Sequence, residues 1–325
     1  MTAVAKLVDD AFDYSTLINL HGDLIFSGVS DSSAAFNDAE ARLYDQISDH
    51  LDDSSRLSEF IPTPPNQLME LLNGLEQPGV HFGAIQEKIR KDLGLMSEII
   101  RISNSPLFRT RSGDITSIER AIAMLGIRGV MEISSQLLLR RVINVKSSRF
   151  KNFSHFLWIH CLKSAEAGTV LGDKDDAYIN YLLGLVHSIG YVVVLSSYVD
   201  AVGNSSDESI NDLKVIRHIC FEQGHWLSTR VAQEWELPDL ILNTLDEYDH
   251  LCGALILNSE FEAKLSTTNT LFLSSAFAQI HSLLTKGKLD RERGNAFLES
   301  IGLDMEAKRM AALFERLRLL EVEDS

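Results

Sequence analysis

Histidine is the side chain in this sequence best placed to do chemistry. It titrates near neutrality and ligates divalent metals through either ring nitrogen. The chain has ten of them. His218, Glu222 and His225 stand at i, i+4 and i+7, which on one helix would line up three candidate ligands. Gly224 immediately precedes His225 and is expected to end that helix, which breaks the face and leaves a solvated or capping cluster as the better reading. His155 and His160 are about 140° apart around a helix and do not share a face.

The second chemistry-bearing set is arginine. Arg101, Arg109, Arg111, Arg120, Arg128, Arg140, Arg141 and Arg149 fall in one block. A guanidinium fork binds phosphate oxygens in pairs, so Arg101, Arg109, Arg111 and Arg128 are candidate anion-binding positions. The competing reading is a solvated face paired with nearby glutamates, favoured because no aromatics interleave with the basic residues. Cys161, Cys220 and Cys252 are odd in number, widely spaced and without a CxxC, so they read as reduced thiols and not as a disulfide or zinc framework. No GxGxxG, Walker A, GxSxG, HExxH or EF-hand pattern occurs.

The elements that must carry these residues are helical. The IPTPP run at 61–65 fixes φ and removes donors, so a helix can begin only after it. Leu68, Leu71, Leu72 and Leu75 then recur at helical spacing. Thr116 and Glu119 form a capping-box pattern ahead of Ile118, Ile122 and Leu125. Helices are expected over 2–13, 37–52, 66–76, 82–93, 94–103, 116–126 and 127–144. Beyond these they are expected over 153–171, 177–199, 209–223, 225–236, 238–249, 251–263, 270–285, 289–301 and 305–320, with 27–36 a loop. Alternating β patterns are rare, so the fold class is all-α, a multi-helix bundle.

Length and charge bound the function. The 325 residues carry a net charge of −16, which disfavours a broad nucleic-acid surface or an anionic membrane. The charge is uneven. Residues 1–60 hold twelve acids against Lys6, Arg42 and Arg56; residues 61–150 are net basic; residues 151–325 are acidic again. The run between Asp176 and Asp200 lacks any charged residue and is long enough to cross a bilayer, at about 35 Å as a helix. Asn180, His187, Ser188, Ser196 and Ser197 interrupt it, so a buried central helix is expected. The N-terminus shows no apolar h-region, and a cytoplasmic location is expected.

In order, PTPPNQLMELLNGLEQPGVHFGAIQEKIRKDLGLMSEIIRISNSPLF, ITSIERAIAMLGIRGV, FLWIHCLKSA, YLLGLVHSIGYVVV and EQGHWLSTRVAQEWELP resemble the HDOD family, a degenerate relative of the HD phosphohydrolases. The resemblance runs from Ile61 to Asp249. It implies an acidic N-terminal helical extension at 1–60, an HDOD domain at 61–250 and a C-terminal helical extension at 251–325. It also implies a bacterial signal-transduction or regulatory protein, without demonstrated catalysis, that acts through signalling protein partners. In the HD relatives a His, an adjacent His-Asp pair and later His and Asp residues bind metal. By the resemblance, His160 matches the first His, His187 the His of the pair, and His225 the His that opens the next helix. The paired Asp is Ser188 here, and the lysine that often follows is Tyr191. A neutral hydroxyl lacks the charge with which a carboxylate holds a hard cation, so no cofactor is expected; if a metal binds, His160, His187 and His225 would hold it. The alternative is a divergent metal-dependent phosphohydrolase acting on a nucleotide or cyclic nucleotide, with Asp246, Glu247 or Asp249 replacing the lost carboxylate. A third reading is a regulator that binds a nucleotide at the arginine block or in the vestigial cleft.

Overall fold

The computed structural model describes residues 12–26, 35–75, 87, 89–90, 92–105, 114–143, 150–203, 210–303 and 305–323. Among them are fourteen helices and no β-strand. The first five are α1 (Tyr14–Ile25), α2 (Asp38–Asp52), α3 (Ser54–Phe60), α4 (Asn66–Leu75) and α5 (Leu93–Ser103). Then come α6 (Ile118–Ile143), α7 (Lys151–Leu171), α8 (Ala177–Val186), α9 (Gly190–Val202) and α10 (Asp212–Glu234). The last four are α11 (Asp239–Ile256), α12 (Ser266–Thr285), α13 (Arg291–Ser300) and α14 (Ala307–Glu323). The all-α expectation holds.

Local chemistry sets many of the starts. Asn37 and Glu40 form a capping box on α2, and the side chains of Asp13, Asp53, Asp92, Asn211 and Asp290 accept from the first-turn N–H groups of their helices. The expected helix at 2–13 lies outside the described residues except at its end, where Asp13 is already the cap of α1. The arginines at 109 and 111 lie outside them too.

Several boundaries differ from the sequence reading. The expected helix over 177–199 is two helices joined by the turn at His187–Ile189. The expected stop at Gly224 does not occur: α10 runs through it. Gly224 is instead where α9 approaches α10. A Cβ there would meet the Tyr191 ring at 2.3 Å, and a Cβ at Gly190 would meet the Gly224 carbonyl oxygen at 2.2 Å. A Cβ at Gly184 would likewise fall 2.3 Å from the Ala165 backbone, so α7 and α8 also touch main chain to main chain. The helices expected over 116–126 and 127–144 are the two arms of α6, which meet at Gly126, where a φ of 74° breaks the helical backbone between them. Those over 238–249 and 251–263 merge into α11, which ends before Asn258.

The apolar span at 177–202, which contains the charge-free run, is core, with 89% of its most apolar window buried inside the protein. A second span, 118–143, is also long and apolar enough to cross a membrane, and half of its window is buried. The centre of the molecule is α7, whose Leu157, Cys161, Leu162 and Ala165 are buried against α8 and α12. The flanking segments pack on this centre. α1 lies on α7, α11 and α12. α2 joins α10 through a buried pair in which Lys214 Nζ reaches Glu40 at 2.9 Å and also donates to the Ala35 carbonyl. α14 is tied to α7 twice, by Arg316 to Glu166 at 2.6 Å and by the fully buried Lys163 to Glu321.

The three cysteine thiols are free and buried, and burial raises all three, Cys161 and Cys252 to about 12. At neutral pH they are protonated and poor nucleophiles.

Close helix contact is therefore a sequence requirement at a few glycines. Gly190→Ala is expected to destabilise the chain by about 1–3 kcal/mol through overpacking. Gly253→Ala, where nothing lies within 4 Å of the added Cβ, is expected to be neutral or to stabilise by up to about 1 kcal/mol. Urea unfolding of the two variants measures the contrast, and equal midpoints would contradict it.

Candidate functional site

The break between α8 and α9 places the first imidazole. His187 ends α8, its backbone N–H bonding to Leu183 at 2.9 Å. The chain then tightens into i→i+3 bonds, Ile189 to Val186 and Val192 to Ile189, before α9 continues. The Gly190 N–H donates to Ser228 Oγ at 3.0 Å, which in turn donates to the Gly224 carbonyl. This anchors the turn to α10 one helical turn from His225. Ser188 and His187 are both almost fully buried.

The His187 ring bridges two helices. Its Nδ1 lies 2.8 Å from the Gly184 carbonyl oxygen, and its Nε2 lies 3.1 Å from His160 Nε2 on α7. A carbonyl only accepts, so Nδ1 carries the proton and Nε2 offers a bare lone pair. His160 must then donate from Nε2, which leaves its Nδ1 as a buried acceptor, and that atom has no hydrogen-bond partner. His225 Nδ1 donates to the His187 carbonyl at 3.4 Å. Tyr248 on α11 packs its ring 5.9 Å from His187 and 5.0 Å from His225, and its hydroxyl donates to Ser275.

The structure thus brings together His160, His187, Ser188 and His225 from three parts of the chain. It adds a residue that sequence reasoning missed: His21 on α1, whose ring centroid lies 4.6 Å from that of His160. No spacing pattern could have found it, because α1 itself was not read. His218 faces away, packed edge-on against Phe36 and Tyr44 and paired with Glu222 at 3.3 Å. Of the three carboxylates considered as replacements, only Asp249 lines the cavity beside the histidines. Asp246 is exposed, and Glu247 is used up accepting from the Lys264 and Leu265 N–H groups and Thr268 Oγ1 at the start of α12. The arginines stand elsewhere: Arg101 pairs with Glu98 and Arg128 with Glu132, and neither lines the cavity.

Burial dominates the electrostatics. It drives His21 and His187 down to about 3 and His160 well below the ordinary 6.5. His225 is lowered by burial and partly held up by Asp249, whose own carboxyl is raised by burial. The cluster is therefore a group of neutral rings at neutral pH. It does not fit a divalent metal. Among the described residues no three His, Cys, Asp or Glu side chains converge as ligands. His187 has the second-nitrogen partner that a ligating imidazole needs, and His160 does not.

Comparison with known proteins adds the lineage. A model of the HDOD domain matches residues 61–251. The chain is 26% identical over 234 residues to an uncharacterized protein of Treponema pallidum (strain Nichols), across 70% of this chain and 43% of that one. It thus spans less than half the length of that curated relative. Among solved structures, it is similar to a Shewanella amazonensis SB2B protein provisionally described as a metal-dependent phosphohydrolase, with a TM-score of 0.61 and 14% identity over 86% of this chain and 98% of that one. It is also similar to an HDOD domain protein of unknown function from Geobacter sulfurreducens, with a TM-score of 0.56 and 17% identity over 88% and 96% of the two chains. At these identities the likeness shows the fold.

The buried imidazoles set an acid limit on stability. Above pH 6.5 they are neutral folded or unfolded. Below it the unfolded chain takes protons that His21 and His187, at about 3, and His281, at about 4, refuse until much lower pH. Each such group costs up to about 1.4 kcal/mol per pH unit. His160 and His225 act in the same sense, while Glu132, raised by burial to about 7, Asp249 and His250 act in the opposite one. The net expectation is a urea midpoint that falls steadily from pH 7 to pH 5. A flat or rising midpoint over that range would show that the rings are not buried neutral.

Proposed function

This chain belongs to the HDOD domain family, and from that premise we propose that it is a non-catalytic regulatory protein of bacterial signal transduction. It acts in the cytoplasm and works through protein partners. The observation that carries the reading is the state of the inherited site. Ser188 stands where the metal-binding relatives have Asp, and the two histidines that would flank a metal are hydrogen-bonded to each other at 3.1 Å. A metal-activated water is the usual nucleophile for phosphoester hydrolysis, and it needs ligands that hold the cation and a charge that lowers the pKa of the water. Neutral imidazoles and one hydroxyl supply little of either.

One observation favours a second reading, a divergent phosphohydrolase acting on a nucleotide or cyclic nucleotide. Asp249 lines the same cavity as His160 and His225. A side-chain rotation that brought it to His225 would restore one carboxylate to the site.

Elemental analysis of protein purified without chelator, then soaked in Mn²⁺, separates the two. The proposal expects less than about a tenth of a metal per chain, since apo ligand sets without converging donors bind weakly. It also expects no turnover of phosphodiester or cyclic dinucleotide substrates. Turnover that disappears in His187→Ala would overturn it.

A further inference from the structure

A cavity of about 460 Å³ opens beside His160, within the range of small-molecule sites. Its inner end holds His21, His160, Ser188 and His225, and its walls include Tyr14, Ile18, Ile25 and Phe221. Two features of the lining restrict what can enter.

The first is the orphan at the inner end. The Gly184 carbonyl fixes the His187 tautomer, His187 takes the proton offered by His160, and His160 Nδ1 is left as a buried lone pair without a donor. His160 is 4% exposed, so bulk water does not serve that atom freely. A buried acceptor of this kind is satisfied by an N–H or O–H brought in from outside.

The second is the charge of the lining. Glu222, Asp249 and Glu260 contribute carboxyl groups, and among the described residues no lysine or arginine lines the cavity. Glu222 is held by the Tyr44 hydroxyl at 2.7 Å, which fixes its position at the rim. His250 stands at the same rim and is paired with Asp246, on its outer side. Lys163 lies behind His160 on α7, but its ammonium turns away to Glu321 and Ser282.

We infer that this cavity binds a small organic amine, its N–H groups donating toward His160 Nδ1 and the carboxylates and its apolar part packed on Tyr14, Ile18 and Phe221. The inference deepens the non-catalytic reading and rests on it: a dismantled metal centre serves as a sensor pocket. A phosphorylated nucleotide is mismatched at both ends. Its phosphate brings acceptors to an acceptor and negative charge to carboxylates. The way in passes the end of α11, where Leu257 is 77% exposed and Asn258 adopts a φ of 51°.

Isothermal titration calorimetry on the full chain, without added metal, tests this with tryptamine, tyramine and histamine. Indole-3-propionate and adenosine monophosphate serve as anionic probes of similar size. The expected result is saturable binding of at least one amine and none of the anions. Asp249→Asn is expected to weaken the amine about tenfold, the scale for losing one charge-assisted contact. Ile18→Trp fills the cavity from α1 and is expected to abolish binding. His160→Phe removes the orphan acceptor; should it not fold, the other two variants carry the test. Binding of an anion as tightly as the amines would overturn the inference, as would silence from all three amines or an unchanged affinity in Ile18→Trp. Because no metal or turnover enters the measurement, such a failure leaves the non-catalytic reading standing. Metal-dependent turnover would instead overturn the non-catalytic reading and, with it, the sensor role of the pocket.

Discussion

A single hydrogen bond between two uncharged imidazoles sits where the bundle's elements meet. The His160–His187 contact joins two rings that burial holds neutral, so the elements packed around them must keep bulk water away. That requirement accounts for much of the architecture. The turn at His187–Ile189 redirects the chain after His187, so that α9 packs against α10. The turn can lie flush against α10 because Gly190 and Gly224 remove the side chains that would hold the two backbones apart. Gly184 does the same against α7. Main-chain contact of this kind lets three imidazoles from distant parts of the sequence approach one another.

The completed cluster also depends on segments on both sides of the matched region. His21 comes from α1 and covers His160, while Tyr14 on the same helix donates to Cys252 on α11. From the other side, α14 reaches α7 through Arg316 and Glu321. Glu166 and Lys163 are buried on one face of α7, so each charge is tolerable only because its partner arrives from α14. Residues 61–251 carry the family's pattern, yet the environment of its central histidines is finished by helices outside it.

The ordered motifs made His160, His187, Ser188 and His225 legible as one site, and helical periodicity made the fold class legible. The remainder was hidden for identifiable reasons. The 177–199 run is apolar on every side, because it is buried on every side, so nothing in its periodicity marks the turn. Gly224 reads locally as a helix stop. Its real role is set by Tyr191 and Gly190 across a helix interface, which no local rule contains. Asp246, Glu247 and Asp249 are near-equivalent in sequence, and only the helix phase of α11 sends Asp249 to the cavity and Glu247 to the start of α12. α1 was missed because its polar residues, Ser15, Asn19 and Asp23, weaken the apolar stripe that it shares with the bundle.

The buried ammonium of Lys163 defines what a self-sufficient piece of this protein is. Cutting the chain at the family boundary would strip away Glu321 and leave a cation in an apolar interior, one turn from the imidazole pair. Such a fragment would have to drop the proton from Lys163 or open the helices to let water in. The evolutionary unit and the thermodynamic unit therefore end at different places. The first closes near α11, and the second extends to the last turn of α14.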